Sequence, residues 1–530
     1  MPSPYDTDLD KNRANYQPLS PTSFLRRAAH VYPKKTAIVH GDRKISYAEF
    51  YTRSRRLASA LSQRGIGKGD TVSVMAPNVP ALLEAHYAVP MIGGVLNALN
   101  IRLDAATIAF ILDHAETDLL ITDRVFSPVI REALEMAKAA PTVIDIDDPL
   151  DQSGEMLGEK EYETFLEEGD PEFEWSPPAD EWLALSLNYT SGTTGLPKGV
   201  VHTHTTAMWG VFTIHATADY QAGERYIACL PMFHVGALTP LTINAYHGAT
   251  TYVMRSFDPV AAWECVQREK ITSGLMVPAM LNFMVQVPNF ENYDWSSVRS
   301  FMTGAAPVPV ALTQRYQEMG IDITQVYGLT ETCGPACLMD TENAVRKPES
   351  CGKPFFFTEV MVADEHGNEL PIGEAGEMLV RGKHIMREYW NRPDASAETL
   401  VNGWLRTGDV GVMDDEGFFA IQDRIKDMII SGGENVYPAE IEGVLQSHPG
   451  ISEAGVIGQN SEKWGESPLA VVVKSDDALT GEEILAFCQG KLAKFKQPKA
   501  VEFIDVIPRN PSGKILKRVL REQFPAEAAE

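Results

Sequence analysis

The chain has 530 residues, which is too long for one hydrophobic core, so at least two domains are expected. A hydrophobic content of 44% with 22% charged residues is ordinary for a globular enzyme. The net charge of −26 argues against broad binding to nucleic acid or to anionic membranes.

The cysteines, the first residues and the apolar runs argue against a disulfide-rich, zinc-binding or membrane-spanning protein. The six cysteines are too few and too scattered for a disulfide framework, and Cys333 and Cys337 lack a second Cys/His pair for a zinc site. The first twelve residues are polar and acidic, and the best apolar run, Pro80–Ile101, contains Glu84 and His86. We therefore expect a cytoplasmic protein without integral membrane association.

The N-terminal part of the sequence predicts alternating helices and strands. Ser20 is an N-cap residue followed by proline at the first helical position, and Gly65 ends a second amphipathic stretch. The expected helices are Thr22–Val31 and Tyr47–Arg64, and the expected strands are Thr36–Val39, Lys44–Ser46, Thr71–Met75 and Leu119–Ile121. This alternation predicts an α/β fold with mainly parallel sheets.

An acidic stretch, Asp145–Glu181, follows and has Lys160 as its only basic residue. Its glycines and prolines indicate a surface connection between two α/β layers, with a solvated acidic face.

The segment Tyr189–Val200 reads Tyr-Thr-Ser-Gly-Thr-Thr-Gly-Leu-Pro-Lys-Gly-Val and follows a predicted strand that ends near Asn188. Hydroxyl donors, glycines that free backbone N–H groups, and one lysine suit a polyphosphate ligand. It is not a Walker A loop, because Lys198 is followed by Gly199 rather than by Ser or Thr. The alternative is a flexible Gly/Thr turn.

The rest of the chain returns to α/β alternation and then becomes richer in strands from Glu377 onward. The strand expected at Ser300–Met302 leads into Gly304-Ala305-Ala306-Pro307, and strand ends followed by glycine bind ligands in open α/β sheets. Further strands are expected at Ile227–Leu230 and Ser273–Val277. The segment Lys491–Arg521 carries nine basic residues, which predicts either a solvated helix face or a patch that meets phosphates.

Five stretches together resemble the adenylate-forming superfamily of acyl-CoA synthetases, carrier-protein adenylation domains and beetle luciferases. They are Tyr189–Val200, Gln325–Thr332, Gly403–Asp409, Asp423–Pro438 and Pro508–Lys514. The resemblance covers nearly the whole chain. Asn97–Ala105 and the Asn-Tyr-Thr-Ser run are most similar to medium-chain and methylmercaptopropionate-type CoA ligases.

The resemblance implies a two-step reaction: a carboxylate attacks the α-phosphate of ATP to give acyl-adenylate and pyrophosphate, and a thiol then displaces AMP. It implies ATP, Mg²⁺ and coenzyme A as cofactors or co-substrates. It also implies a large N-terminal domain (1–423) of two α/β layers plus a small β-rich subdomain. A small mobile α+β domain (424–530) would follow.

The resemblance also assigns roles in the nucleotide site. Glu331 would be the magnesium-associated carboxylate, with Thr330 beside it contacting phosphate. Asp409 would accept hydrogen bonds from both ribose hydroxyls, and Arg424 would add a ribose and phosphate contact. The phosphate and adenine contacts would come from Thr190, Ser191, Gly192, Thr193, Thr194, Lys198, Gly304, Ala305, Ala306, Pro307, Tyr327 and Gly328.

The C-terminal part would supply residues for each half-reaction. Lys514 would bridge the attacking carboxylate and the α-phosphate, a task that suits a point charge on a long stem. Lys426 would be the hinge that alternates two domain poses, and Gly432 and Gly433 would let pantetheine pass near the backbone.

The acyl group is expected to lie beside His234, which would line the pocket or position the carboxylate. Small residues after it leave volume, so a medium-chain, sulfur-containing or aromatic acid is favoured over acetate. The predicted pocket residues are His234, Val235, Gly236, Ala237, Thr332, Cys333 and Gly334.

Three alternatives stay open on the sequence. A free-standing adenylation enzyme would transfer the acyl group to a carrier protein, a luciferase would use dioxygen, and a dead nucleotide sensor would lack Lys514, Glu331 or Asp409, all of which are present. The expected partners are small molecules, with a homodimer left open.

Overall fold

The computed structural model describes residues 3, 5, 11–12, 14–190, 196–306, 308–431, 434–461, 465–489, 491–492, 494, 496–509 and 515–525. Within these residues the chain forms helices and strands that build three sheets.

The strands are β1 (Thr36–His40), β2 (Arg43–Ser46), β3 (Thr71–Met75), β4 (Val95–Ala98), β5 (Thr117–Asp123), β6 (Thr142–Ile146), β7 (Lys160–Glu161), β8 (Ala184–Thr190), β9 (Lys198–Thr203), β10 (Arg225–Ala228), β11 (Thr250–Val253), β12 (Ser273–Met276), β13 (Ser300–Gly304), β14 (Asp322–Tyr327), β15 (Cys337–Met339), β16 (Ser350–Pro354), β17 (Thr358–Ala363), β18 (Gly376–Gly382), β19 (Glu388–Tyr389), β20 (Leu400–Val401), β21 (Trp404–Met413), β22 (Phe419–Arg424), β23 (Ile429–Ser431), β24 (Glu434–Val436), β25 (Ile451–Ser461), β26 (Gly465–Lys474) and β27 (Ala500–Phe503). The helices are α1 (Thr22–Val31), α2 (Tyr47–Gln63), α3 (Pro80–Met91), α4 (Ala105–His114), α5 (Ser127–Met136), α6 (Tyr162–Glu168), α7 (His204–Thr217), α8 (Val235–His247), α9 (Pro259–Glu269), α10 (Pro278–Val285), α11 (Val310–Glu318), α12 (Thr341–Arg346), α13 (Pro393–Thr399), α14 (Pro438–Gln446), α15 (Gly481–Cys488) and α16 (Lys517–Gln523).

The largest sheet has 14 strands and carries most of the candidate site. Its order is β17-β18-β21-β22-β16-β15-β14-β13-β12-β10-β11-β1-β2, with β20 paired to β21. Strands β10 to β14 run parallel, and Trp263, Phe301 and Tyr316 pack between them and helices α9 to α11. The carboxyl ends of β13 and β14 therefore open at the same edge, where ligands bind in α/β sheets.

A second sheet has eight strands in the order β19-β9-β8-β4-β3-β5-β6-β7. Strand β3 is buried along its whole length, which explains its run of Val, Thr and Met. Helices α1, α2, α3, α7 and α8 contribute to the core that joins this sheet to the first.

A third sheet of five strands, β24-β23-β26-β25 with β27 beside β26, forms the C-terminal part with its own core around Ile441, Val456 and Ile484. The first sheet ends at Arg424 and the third begins at Ile429. A large N-terminal and a smaller C-terminal α/β part confirm the predicted fold class. The boundary at 423/424 stays a prediction.

Most predicted elements match the structure to within one or two residues at each end, because buried β-branched runs and helix caps mark them. The strand predicted at Leu119–Ile121 is longer, and β8 runs two residues past Asn188. None of the helices in the described ranges combines the length and the apolar character needed to cross a membrane.

The acidic stretch Asp145–Glu181 is more structured than a surface connection. It contains β7 and α6, whose Tyr162, Phe165 and Leu166 are buried, and Asp145 is itself buried in β6. The prediction was wrong in this respect, because acidic residues on the exposed face of α6 hide a short apolar face.

Five basic side chains of the segment Lys491–Arg521 form ion pairs with acidic residues. Lys496, Arg509 and Lys517 form ion pairs with Glu440, Glu453 and Glu442 respectively, all within the C-terminal part. Arg518 and Arg521 are paired with Glu522 and Asp427. These five side chains neutralise acidic neighbours, and the phosphate alternative stays a prediction for the rest of the segment, which includes Lys514.

Candidate active site

The predicted phosphate-binding segment joins two antiparallel strands. Strand β8 ends at Thr190 and β9 begins at Lys198, and these two residues face each other in register. Leu187 and Val200 are buried behind them, so the base of the segment is fixed by the core. The predicted contacts Ser191, Gly192, Thr193 and Thr194 lie outside the described residues.

Glu331 lies in a tight turn, Thr330–Thr332, that follows β14. The buried Thr332 hydroxyl accepts a hydrogen bond from Leu329 N at 2.9 Å and donates to Leu329 O at 3.0 Å, which closes the turn. A methyl group at Gly328 would lie 1.5 Å from the carbonyl oxygen of Gly334, so only glycine fits there. The turn that presents Glu331 is therefore shaped by its own backbone.

The carboxylate of Glu331 is oriented by a residue that the sequence did not predict. Tyr389 Oη donates to Glu331 Oε1 at 2.7 Å, and Met386 N donates to Glu331 O at 2.8 Å. Burial and the neighbouring Glu331 raise the pKa of Tyr389, so its hydroxyl keeps its proton. Lys198 Nζ lies 4.7 Å from the centre of the same ring.

A buried histidine supports the same turn. His384 Nδ1 lies 2.8 Å from Thr332 O and its Nε2 lies 2.8 Å from Thr358 Oγ1. Because a carbonyl oxygen only accepts, Nδ1 carries the proton and Nε2 accepts from the threonine. Burial lowers the pKa of His384 to about 4, so the ring is neutral at pH 7.

The ribose side of the predicted site is built on the adjacent strands β21 and β22. Asp409 is buried and directly opposite Arg424, and Asp409 Oδ1 lies 2.5 Å from Arg424 Nε. Tyr327 Oη donates to Asp409 Oδ2 at 2.7 Å. Thr407 Oγ1 accepts a hydrogen bond from Asp409 N at 3.0 Å, and Thr407 O accepts from Arg424 Nη1 at 3.3 Å. The structure thus brings Tyr327, Asp409 and Arg424 together.

The predicted adenine contacts lie at the ends of two neighbouring parallel strands. Gly304 ends β13 opposite Val326 of β14, one residue before Tyr327. Ala305 and Ala306 are exposed, and Ala305 has a φ of 70°, a region that non-glycine residues rarely adopt outside special sites. Pro307 lies outside the described residues.

His234 is the N-cap of α8 and is half-buried. Its Nε2 is buried and has no hydrogen-bond partner among the described residues. Burial lowers the pKa of His234 to about 4, with a further lowering from the charge of Arg102. His234 is therefore a neutral hydrogen-bonding group whose Nε2 is left unpaired by the residues that the structure describes.

Two of the predicted acyl-pocket residues, Gly236 and Cys333, differ in how much space surrounds them. A methyl group at Gly236, the second residue of α8, would meet none of the described atoms within 4 Å. By contrast, Cys333 packs closely against α7, where a methyl group at Gly210 would lie 3.2 Å from its sulfur. Cys333 has a φ of 56°, so a second non-glycine residue of the site is in the left-handed region. The side chain of Ala237 is outside the description.

The predicted hinge lies in the turn between β22 and β23. Lys426 is exposed there, and the turn is closed by hydrogen bonds from Asp427 N and Met428 N to Arg424 O. Gly432, Gly433 and Lys514 lie outside the described residues, so their roles stay predictions.

The comparisons with known proteins bear on this geometry. The family model described as AMP-binding enzyme matches residues 25–390, and the model described as AMP-binding enzyme C-terminal domain matches residues 440–514. The chain belongs to the AMP-binding enzyme family. The first match covers the phosphate and adenine side of the candidate site, whereas Asp409 and Arg424 lie between the two matched ranges.

Several curated relatives of this AMP-binding enzyme are named as CoA ligases or synthases, and the chain aligns with almost their whole length. The chain is 41% identical to the long-chain-fatty-acid–CoA ligase FadD13 of Mycobacterium tuberculosis, over 95% of this chain and 98% of the relative. It is 38% identical to a feruloyl-CoA synthase of Amycolatopsis (95% and 98% covered) and 37% identical to the acetate–CoA ligase CCL3 of Humulus lupulus (97% and 96% covered).

Solved structures agree with the fold and the cofactors. A Mycobacterium tuberculosis fatty acyl CoA synthetase superposes with a TM-score of 0.76 at 39% identity, over 95% of this chain and 98% of that one. The o-succinylbenzoate CoA synthetase of Bacillus subtilis in complex with ATP and magnesium superposes with a TM-score of 0.85 at 31% identity, over 95% and 99%. The predicted ATP, magnesium and CoA are thus those of the relatives.

These relatives establish the reaction class: the chain is an AMP-forming acid–thiol ligase that makes acyl-CoA through an acyl-adenylate. The donor chemistry at Glu331 suits magnesium, since Tyr389 occupies Oε1 and Oε2 has no partner among the described residues. One carboxylate oxygen beside substrate phosphates is a typical magnesium environment.

Proposed function

We propose that this enzyme activates a medium-chain or similarly bulky carboxylic acid, including sulfur-containing or aromatic acids, in preference to acetate. The observation that carries the proposal is the open space beside Gly236 at the start of α8, two residues after His234. An acyl chain held there by its carboxylate near His234 would have room that acetate does not need.

Overall similarity does not select the acyl group. The identities to relatives named for a long-chain fatty acid, ferulate and acetate are 41%, 38% and 37%, which differ too little to decide. The choice would depend on the few residues that touch the acyl group, which we place beside His234 and Gly236.

His234 would hold the carboxylate by a neutral hydrogen bond. Its buried Nε2, which has no partner among the described residues, can carry the proton and donate a hydrogen bond to an acid oxygen. Because burial holds the pKa of His234 at about 4, the ring adds little positive charge at pH 7. The attacking carboxylate therefore keeps its nucleophilic electron density while it is oriented.

The nucleotide site would divide its work between two groups of residues. Asp409 and Arg424 would hold the ribose, whereas Thr190, Thr330 and Lys198, with Ser191, Gly192, Thr193 and Thr194, would hold the phosphates. Glu331 would hold magnesium, which neutralises phosphate charge when it is bound. Lys514 would neutralise the reacting centre during adenylation, and Gly432 and Gly433 would approach CoA in the second step.

The test is AMP release measured against a panel of acids, with and without CoA. The panel contains acetate, butyrate, octanoate, 3-methylthiopropionate and a cinnamic acid. With CoA present, we expect kcat/KM for AMP release to be at least about tenfold higher for one bulky acid than for acetate. The reason is that each methylene bound in a fitting pocket raises kcat/KM by about tenfold or more. A preference for acetate would overturn the acyl proposal.

Gly236→Leu tests the pocket directly. Filling the open space should lower kcat/KM for the preferred bulky acid by about 30-fold and change that for acetate by less than about threefold. The matched control is Gly443→Leu, since Gly443 is an exposed glycine of α14 that also has open space around it. Equal losses on all acids would show that Gly236 does not border the acyl group.

A further inference from the structure

Tyr389 stands between the two charged groups of the predicted phosphate side. Its hydroxyl donates to the carboxylate of Glu331 at 2.7 Å, and its ring face lies 4.7 Å from the ammonium of Lys198. Neither the loop motifs nor the local sequence marks this residue, which is 58 positions from Glu331.

The placement of the ring is fixed by the backbone on both sides. Tyr389 pairs with Val200 in the β19–β9 ladder, and Trp390 N donates to Gly199 O at 2.8 Å, directly after Lys198. Met386 N holds the turn of Glu331 at 2.8 Å. The segment 386–390 therefore connects the strand that carries Lys198 to the turn that carries Glu331.

A lysine and a carboxylate so near to each other would be expected to pair directly. Such a pair would use the charge of Lys198 and an oxygen of Glu331 that the phosphates and the metal need. No ion pair joins Lys198 to Glu331 in the part of the chain that the structure describes, although many other Lys/Arg–Asp/Glu pairs occur there. Lys198 lies on the aromatic face instead.

We propose that Tyr389 is a positioning residue that separates Lys198 from Glu331 and holds each one ready for magnesium-bound ATP, an inference that rests on the proposed function. The hydroxyl orients Glu331 and leaves Oε2 for the metal. The ring face gives Lys198 a weak resting place that phosphate oxygens displace without breaking an ion pair.

The ring and the hydroxyl make separable contributions. Tyr389→Phe keeps the aromatic face and removes the hydroxyl that donates to Glu331. Tyr389→Leu removes both and allows Lys198 to contact Glu331. Tyr316→Phe is the matched control, because the buried Tyr316 hydroxyl donates to Leu281 O at 2.8 Å in the core behind β13.

The experiment measures binding without chemistry, by calorimetry of α,β-methylene-ATP with Mg²⁺, together with steady-state kinetics. We expect Tyr389→Phe to weaken binding of the magnesium–analogue complex about tenfold, as for a lost hydrogen bond to a charged group. At saturating Mg–ATP, kcat should change by less than about threefold. Tyr389→Leu should weaken binding about 100-fold, and Tyr316→Phe should leave it unchanged.

A double-variant cycle identifies the route. In a Glu331→Gln background, Tyr389→Phe should weaken binding by less than about twofold further, because the charged acceptor is gone. A tenfold loss in that background, or unchanged binding in Tyr389→Phe, would overturn the proposal.

The two proposals fail in different ways. A wild-type chain that forms AMP with none of the bulky acids would contradict the acyl proposal. Weaker binding of the analogue by the Tyr389 variants would still support the positioning role of Tyr389. If the chain forms AMP with a bulky acid but the Tyr389 variants bind the analogue as tightly as the wild type, only the proposal for Tyr389 would be overturned.

Discussion

Two carboxylates of the site are each held by a tyrosine hydroxyl at 2.7 Å, but their cations are arranged differently. Asp409 accepts from Tyr327 and also lies 2.5 Å from Arg424 Nε, so both of its oxygens are engaged. Glu331 accepts from Tyr389 through one oxygen, while the nearby Lys198 lies over the ring of that tyrosine.

The difference matches what each carboxylate would bind. A ribose offers hydroxyl donors, which a carboxylate can accept through remaining lone pairs while it stays rigidly paired. A metal ion needs an oxygen with full negative charge and no competing cation. Asp409 and Arg424 are therefore arranged for fixed geometry. Glu331 and Lys198 are kept apart, so that their charges remain available to the metal and the phosphates.

Asp409→Asn should have the largest effect, because it breaks the fixed pair. The change leaves Arg424 without its counter-charge, so stability in urea should fall by about 3 kcal/mol and kcat/KM for ATP by about 100-fold or more. The control is Glu359→Gln, which removes an exposed cross-strand partner of Arg381 and should leave the urea midpoint unchanged. A loss of less than about fivefold in kcat/KM would remove the basis of the comparison.

Tyr327→Phe should have an intermediate effect. Asp409 keeps Arg424 but loses a buried charge-assisted hydrogen bond, so kcat/KM for ATP should fall about tenfold. Unlike Tyr389→Phe, the change should leave the concentration of Mg²⁺ needed for half-maximal rate unaltered. A shift in the magnesium requirement equal to that of Tyr389→Phe would show that the two sides are not distinct.

His384→Asn should have the smallest effect at pH 7.5, within about twofold in rate, because an asparagine Nδ2 can replace the donor to Thr332 O. The folded-state pKa of His384 is about 4, below the unfolded value of about 6.5. The unfolded chain therefore binds the proton first, and stability that is present above pH 6.5 is lost as the pH falls toward 4.

The measurement is the free energy of unfolding of both chains, from urea titrations between pH 7.5 and 4.5. Below pH 6.5, this free energy should fall by about 1.4 kcal/mol per pH unit more in the wild type than in His384→Asn. Parallel curves for the two chains would show that His384 takes up its proton while folded.

The sequence predicted the parts of the site that are local in the chain. Glu331, Asp409 and Lys198 stand among glycines and hydroxyls that are informative within a few residues. The structure places Glu331 in the turn after β14, Asp409 within β21 and Lys198 at the start of β9. The same is true of β3, whose apolar β-branched run is buried along its length.

What the sequence could not predict depends on distant contacts. Tyr389 and His384 reach the turn of Glu331 across 58 and 52 residues, through the pairing of β19 with β9 and the course of the chain after β18. The available signal was an aromatic pair, Tyr389-Trp390, which predicts packing and no specific role. Acidic composition likewise concealed the buried face of α6.

The turn after β22 has a consequence for movement of the C-terminal part. Arg424 is paired with Asp409, and Ile425 N donates to Gly408 O at 3.0 Å, immediately before Lys426. A rotation that begins at Lys426 would therefore be supported by β21, the strand that carries Asp409. On the proposed roles of Lys426 and Asp409, loosening that strand would alter both the hold on the ribose and the starting angle of the C-terminal part.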